Sequence, residues 1–354
     1  MDNPRVSIII PVKNRAHLMP ALVDSLVHQS LLSWEALVVD DGSEADELLK
    51  ISQLCSRDAR IRLIRREAGK SGAGACRNLG FRHARGEIIM FIDSDDCIST
   101  PDCLADRVEF LGQRGNLDFC VSPVEIFESV PGDLARLHNI VTAETDLIRF
   151  LKRDIPWQTA GPTWRRKTLD RLGPWNEDLP SWQDWEFHTR ALLAGLSYER
   201  FPGGRAYWRL PSAAGSIGAA ARSVEHLKQV ESLLIETAQR IDKNHSMDRK
   251  TRRALAFSFF FTAVEFIALD RPTDAHLLWR QFKQVSHAPQ WEIAALELYS
   301  RVFKWPGISG ACRCLLHLLL PPTDIPQYST TFRRCGIEGT STWNAAGDDS
   351  SHRL

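Results

Sequence analysis

The sequence predicts an α/β fold: a mostly parallel central sheet flanked by helices, followed by a helical C-terminal region. Three observations carry this. Over the first hundred residues, short uninterrupted apolar runs alternate with helix-patterned segments. That is the pattern of strands covered on both faces and joined by right-handed crossovers. Two of the runs end in carboxylates, Asp40-Asp41 and Asp93-Ser94-Asp95-Asp96, and sheets of this kind hold ligands at the carboxyl ends of their strands. From about Arg222 the pattern changes to long helical segments punctuated by Pro272 and Pro289.

The elements follow in order. Val6–Pro11 is the first strand, and Ala16–Gln29 carries Leu18, Leu22, Leu26 and Val27 at helical spacing. Trp34–Val39 is the second strand. Ser43 and Asp46 are spaced as a capping box opening a helix that runs to Cys55. Ile61–Ile64 is the third strand, Gly69–Gly74 a glycine-rich loop, Ala75–Ala84 a short helix and Glu87–Ile92 the fourth strand. Beyond it come strands at Leu117–Val124, near Thr159–Trp164 and at Tyr198–Phe201, with helices at Asp146–Lys152 and Gln183–Ala194. Four long helices follow, Arg222–Lys243, Asp248–Leu269, Thr273–Val285 and Gln290–Phe303. This divides the chain into an α/β domain over 1–218, a helical region over 222–321 and a loose tail over 322–354, with the boundary near 215–222.

Composition narrows the function. Lys plus Arg and Asp plus Glu both number 44, so the formal charge is zero. That excludes a protein whose main task is to coat nucleic acid or anionic lipid. The first apolar run is too short for a signal sequence, and no stretch reaches the roughly 18 apolar residues of a membrane span. Eight scattered cysteines form no CxxC pair, which fits reduced cytosolic thiols. The basic, apolar stretch Trp305–Leu320 either lies in a membrane interface or packs on the domain.

The chemistry concentrates at three places. Asp93-Ser94-Asp95-Asp96 crowds carboxylates in one turn after an apolar strand. Such charges repel unless a cation sits among them, and Mg²⁺ is commonly held by one or two carboxylates plus substrate phosphates. The other reading is a solvated turn capping the next helix. Asp40-Asp41-Gly42-Ser43 either binds a base or ribose or caps a helix. Gly69–Gly74, with Arg77 behind it, offers backbone N–H groups and a cationic fork for phosphate, yet departs from the P-loop and dinucleotide patterns. A nucleotidyltransferase would carry a glycine-rich loop directly after the first strand, and Pro11-Val12-Lys13-Asn14-Arg15 has no glycine.

Together VSIIIPVKNR at 6–15, VVDDGS at 38–43, GAGACRNLG at 72–80, IIMFIDSDD at 88–96 and GPWNEDLPSWQDWEFHTR at 173–190 resemble the family 2 glycosyltransferases of the GT-A fold, over about residues 4–218. The resemblance implies a Rossmann-like catalytic domain and a metal-dependent, inverting transfer of a sugar. The donor would be a nucleotide-diphosphate sugar, the acceptor a hydroxyl of a glycan or lipid-linked glycan, the setting surface polysaccharide synthesis at the cytoplasmic face, possible peripheral membrane contact included. It implies that Pro11 and Asn14 shape the loop beside the nucleotide, Asp40 and Asp41 lie at base and ribose, and Arg77 lies near the diphosphate. Asp95 is then the direct ligand of Mg²⁺ or Mn²⁺, Asp93 faces ribose or metal, and Asp184 is the general base. Trp175, Trp182 and Trp185 surround Asp184, either as stacking faces for an acceptor sugar or as core. Two departures stand out: Gln183 replaces a glutamate frequent in the family, and no histidine occurs between His188 and His226. They motivate the rival reading of a non-catalytic nucleotide-sugar-binding or scaffold module.

Overall fold

The computed structural model of the chain describes residues 3–138, 141–210, 223–244 and 247–286. Its main sheet has seven strands: β1 (Val6–Val12), β2 (Trp34–Asp40), β3 (Ile61–Arg65), β4 (Ile88–Phe91), β6 (Phe119–Val121), β9 (Pro162–Arg165) and β10 (Tyr198–Arg200). Their order is β10-β6-β9-β4-β1-β2-β3. Strands β4, β1, β2 and β3 are mutually parallel, and β9 runs antiparallel between β4 and β6.

Helices α1 (Pro20–Val27), α2 (Ala45–Cys55), α3 (Ala73–His83), α4 (Cys103–Gly112), α5 (Asp146–Leu151), α6 (Arg166–Leu172) and α7 (Gln183–Leu193) surround it. Every residue of β1 and β2 is buried, because helices cover both faces. The two-residue period sorts them: Ile8, Ile10, Ala36 and Val38 belong to one core with α1 and α4, while Ile9 and Leu37 belong to the other with α7. Gly80 sets the distance of α3, since a Cβ there would lie 2.4 Å from Ile9 Cγ2. Pro11 is tolerated in a central strand because it lies past the last β1–β4 pair, Ile9↔Phe91. Its missing N–H is on the β4 side, where Ile9 O still accepts from Ile92 N.

Several expectations need correction. The segment 16–29 is not one helix: a 3-10 turn at Ala16–Leu18 precedes α1, whose first residue is Pro20. The capping box at Ser43 does not form. Glu44 precedes α2 without a side-chain cap, and Ser43 Oγ instead accepts from Asn14 N at 2.9 Å. The run 117–124 breaks at Ser122-Pro123, because Pro123 has no N–H for a continuing ladder. Its second half joins a four-stranded sheet, β5-β11-β7-β8, made of β5 (Cys97–Ile98), β7 (Val124–Phe127), β8 (Arg136–Leu137) and β11 (Ala206–Arg209). Strands this short leave no readable period in the sequence.

Helices α8 (Val224–Lys243), α9 (Arg249–Ala268) and α10 (Pro272–Ser286) match three expected helices within two residues at each end. Ser223 caps α8 by accepting from His226 N, and Asp248 caps α9 by accepting from Thr251 N. Their apolar faces share one core with Ile9, Trp164 and Phe187. Buried polar bonds tie them down: Ser258 Oγ donates to Leu151 O at 2.6 Å, and Arg153 Nη2 donates to Ser258 O at 3.0 Å. Among the described residues no helix is long and apolar enough to cross a membrane. The expected helix at 290–303, the stretch 305–320, the tail at 322–354 and most of the boundary segment lie outside the described residues.

Candidate active site

The carboxyl ends of β1, β2 and β4 and the start of α7 meet at one edge of the sheet. After β4 the chain turns at once, with Asp96 N donating to Asp93 O at 3.1 Å. Asp96 is buried, and its Oδ1 accepts from Arg209 N at 3.0 Å. Burial, followed by Asp93 and Asp95, pushes the Asp96 carboxyl well above the carboxylate range. Asp96 is thus an anchor that ties the acidic turn to β11, reinforced by Arg209 Nε on Asp95 O at 3.1 Å. Burial and then Asp93 also raise Asp95, against the pull of Arg15.

Each remaining carboxylate of the turn carries an arginine. Arg15 Nη1 lies 2.9 Å from Asp95 Oδ2, and Arg77 Nη2 lies 2.7 Å from Asp93 Oδ1. Arg77 sits on α3, 3% exposed, with its guanidinium 4.5 Å over the ring of Trp175. It also donates Nη1 to Gln183 Oε1 at 3.0 Å and lies 3.9 Å from Asp184 Oδ1. So Arg77 is not an open fork for phosphate. It joins the acidic turn to α7, burial offset by opposite charge on two sides.

Gln183 explains its own departure from the family pattern. Its amide nitrogen donates to Leu179 O at 2.6 Å while its oxygen accepts from Arg77. A glutamate could not donate the first bond. Asp184 follows in the first turn of α7, where a negative charge is favoured. Its Oδ1 is buried with no hydrogen-bond donor, while the side chain as a whole is 30% exposed. Asp184 thus combines a carboxylate oxygen that lacks a donor with partial exposure of the side chain.

The tryptophans divide. Trp175 is buried, stacked on Phe187 with centroids 3.9 Å apart, and Trp185 is buried with Nε1 donating to Phe150 O. Both serve as core, so neither offers a face for an acceptor sugar. Trp182 is half-buried, precedes α7 in the left-handed conformation (φ 63°) and packs on Trp185 and Arg153.

The nucleotide-side residues are also tied into loops. Asp40 is buried and accepts from Gly42 N and Ser43 N, both at 3.2 Å. Asp41 accepts from Arg66 Nε at 2.5 Å and from Gly72 N at 2.9 Å, which pins the glycine-rich loop to the end of β2. Asn14, with φ 51°, accepts from Glu44 N at 2.8 Å. Pro11 lies in the sheet beside Val39. Sequence reasoning missed Arg15, Arg209 and Asn78, which holds Trp175 N and O. The available signal was that crowded carboxylates need basic partners.

A divalent cation fits the donor set of Asp93 and Asp95. Both present hard carboxylate oxygens on one turn, and Asp95 is raised first by burial and then by the neighbouring charge of Asp93. Among the described residues no group of three or more His, Cys, Asp or Glu is arranged to hold a metal, so Asp93 and Asp95 would act with substrate oxygens.

Comparison with known proteins bears on the same segments. A family model described as "Glycosyl transferase family 2" matches residues 7–173. The chain is 31% identical over 194 residues to a PGL/p-HBAD biosynthesis glycosyltransferase of Mycobacterium bovis, covering 54% of this chain and 71% of that protein. It is 41% identical over 132 residues to the UDP-Glc:alpha-D-GlcNAc-diphosphoundecaprenol beta-1,3-glucosyltransferase WfgD of Escherichia coli, covering 36% of this chain. It spans about half of that relative, 49%. The fold is similar to that of S. aureus TarS 1-349 crystallised with UDP-GlcNAc, with TM-score 0.64, 18% identity, and coverage of 93% and 92% of the two chains.

Proposed function

Since this chain belongs to the family 2 glycosyltransferases, we propose that it transfers a sugar, with inversion, from a nucleotide-diphosphate sugar to a hydroxyl of a glycan or lipid-linked glycan. The single observation carrying this is that Asp93 and Asp184, far apart in sequence, flank one buried arginine at 2.7 Å and 3.9 Å. In this reading the leaving-group side lies at Asp93 and the proton-accepting side at Asp184, with Arg77 between them.

In the reaction the acceptor oxygen attacks the anomeric carbon, the bond from that carbon to the diphosphate oxygen breaks, and the nucleoside diphosphate departs. Asp184 takes the hydroxyl proton, which a sugar hydroxyl does not release near neutral pH unaided. Asp93 and Asp95 would hold Mg²⁺ or Mn²⁺, which when bound would offset charge developing on the leaving diphosphate. Asp41 and the loop it pins form the nucleotide side of the opening, with Pro11, Asn14 and Asp40 as its backbone frame.

A uridine donor and a lipid-diphosphate acceptor are supported by the name of the E. coli relative and by the ligand crystallised with TarS. Residues 1–218 form the catalytic domain in this reading, and the described helices α8 to α10 buttress it. We place the reaction on the cytoplasmic face of a membrane, a setting with which the free cysteines are compatible.

The test is nucleoside-diphosphate release and product formation over a panel of UDP-, GDP- and dTDP-sugars with glycan and lipid-diphosphate acceptors. Asp184→Asn is expected to abolish transfer with donor affinity within about threefold of wild type. Wild-type transfer by that variant refutes the base assignment. Donor binding with no turnover on any acceptor favours the binding-module reading.

A further inference from the structure

The two arginines on the acidic turn differ in a way that suggests different tasks. Arg77 is fixed: its side chain is 4% exposed, bonded to Asp93 and Gln183 and stacked on Trp175. Arg15 reaches Asp95 from a solvent-facing position, its side chain 32% exposed.

Its backbone, by contrast, is held on both sides. Asn14 N donates to Ser43 Oγ at 2.9 Å and Ala16 N donates to Glu47 Oε2 at 3.0 Å, so both neighbours of Arg15 are tied to the start of α2. The root is thus fixed, while the guanidinium, paired with Asp95, stays partly exposed at the solvent side of the turn. β1 and β4 are adjacent parallel strands, which brings the loop after one beside the turn after the other.

We infer that Arg15 is a binding residue for the donor diphosphate, and that it shares Asp95 with the divalent cation. The inference rests on the glycosyltransferase reading of this site. Asp95 Oδ2 is both the acceptor of Arg15 and a donor atom a cation would need, so the two positive groups compete for one carboxylate. A guanidinium presents paired N–H donors in the geometry of phosphate oxygens. Arrival of a cation–diphosphate pair therefore gives Arg15 a second anion as the cation takes over Asp95. The acidic turn keeps a positive partner throughout, and Arg77 keeps Asp93 and α7 in place while this happens.

The test uses the full chain with Mn²⁺ and UDP as probes, by calorimetry and by Mn²⁺ electron paramagnetic resonance. Arg15→Ala is expected to bind Mn²⁺ without nucleotide about tenfold more tightly, and UDP in the presence of Mn²⁺ about tenfold more weakly. Arg15→Lys keeps the charge without the fork, and is expected to restore the Mn²⁺ affinity but not the UDP affinity. A residue that merely braced the loop would move both affinities in one direction. The inference is overturned if Arg15→Ala leaves either affinity within twofold of wild type, or weakens both. Asp95→Asn separates the two levels. If the wild type binds Mn²⁺ and UDP, Asp95→Asn loses Mn²⁺ and Arg15→Ala changes nothing, only the role of Arg15 falls. If the wild type binds neither probe at millimolar concentration, the reading of a metal-dependent site for a uridine donor falls and this inference with it.

Discussion

Replacing Arg77 with methionine tests the link between the acidic turn and the base helix. Methionine keeps most of the side-chain volume and its packing on Trp175, so the change isolates charge and hydrogen bonds. Two partners lose their donor, Asp93 at 2.7 Å and Gln183 at 3.0 Å, and Asp184 loses an ion pair at 3.9 Å. At an effective dielectric near 20, a unit pair about 4 Å apart is worth roughly 4 kcal/mol, against which the burial of the guanidinium counts. Removing one partner of a buried pair costs about 3–5 kcal/mol. Asp93 is 35% and Asp184 30% exposed, so water screens both, and we expect the low end, about 3 kcal/mol. For a chain of this length that lowers Tm by about 4 °C. Asp184 also loses the group that orients α7 against the acidic turn, so kcat should fall about a hundredfold while KM for the donor changes less. Thermal unfolding and initial-rate kinetics read both quantities. A Tm within 2 °C and a kcat within threefold of wild type would falsify the linkage. Arg77→Lys, which keeps the charge but cannot serve all three partners, is expected to fall between.

Two further perturbations probe the frame. His188 is buried among Trp157, Trp164 and Phe187, and burial, followed by the nearby Arg77, lowers it to about 3. The unfolded chain takes up this proton near pH 6.5 and the folded chain does not, so stability falls with decreasing pH between 6.5 and about 3. His188→Phe should flatten this fall by up to about 1.4 kcal/mol per pH unit, seen in denaturant unfolding at pH 7, 6 and 5; an unchanged slope counts against a neutral buried ring. Gly80→Ala places a Cβ 2.4 Å from Ile9 Cγ2 and 3.2 Å from Val39 Cγ2. It should cost about 1–3 kcal/mol in the same assay, and a neutral result would show that α3 can move off the sheet.

Legibility in the sequence followed the range of the interactions. Strands β1 to β4 and helices α8 to α10 were readable because each is specified by its own apolar pattern and length. The second sheet was not, because β5 and β8 are two residues long and exist only through partners distant in sequence. The Ser43 capping box is a local pattern that lost to a longer-range one. Asn14, in a left-handed turn, uses Ser43 Oγ and accepts from Glu44 N itself.

The site divides in the same way. Asp93, Asp95 and Asp184 were found from the sequence, because carboxylates placed directly after a buried strand or at a helix start declare themselves locally. Their partners were not. Trp175 and Trp185 look like sugar-stacking faces in sequence, and only burial assigns them to the core. Arg77 looks like a phosphate fork beside a glycine-rich loop, yet it is enclosed by Asp93, Gln183 and Trp175. Arg15 closes the VSIIIPVKNR segment, yet nothing in the sequence pairs it with Asp95.

The sequence by itself determined the succession of the first four strands along the chain, the positions of the acidic groups and the family, since these follow from local hydrophobic pattern and residue identity. Which arginine faces which carboxylate was decided by the tertiary structure alone. An ion pair such as Arg15–Asp95 or Arg77–Asp93 joins residues from different crossovers. Its worth depends on distance and burial, and neither exists until the sheet has brought the strand ends together.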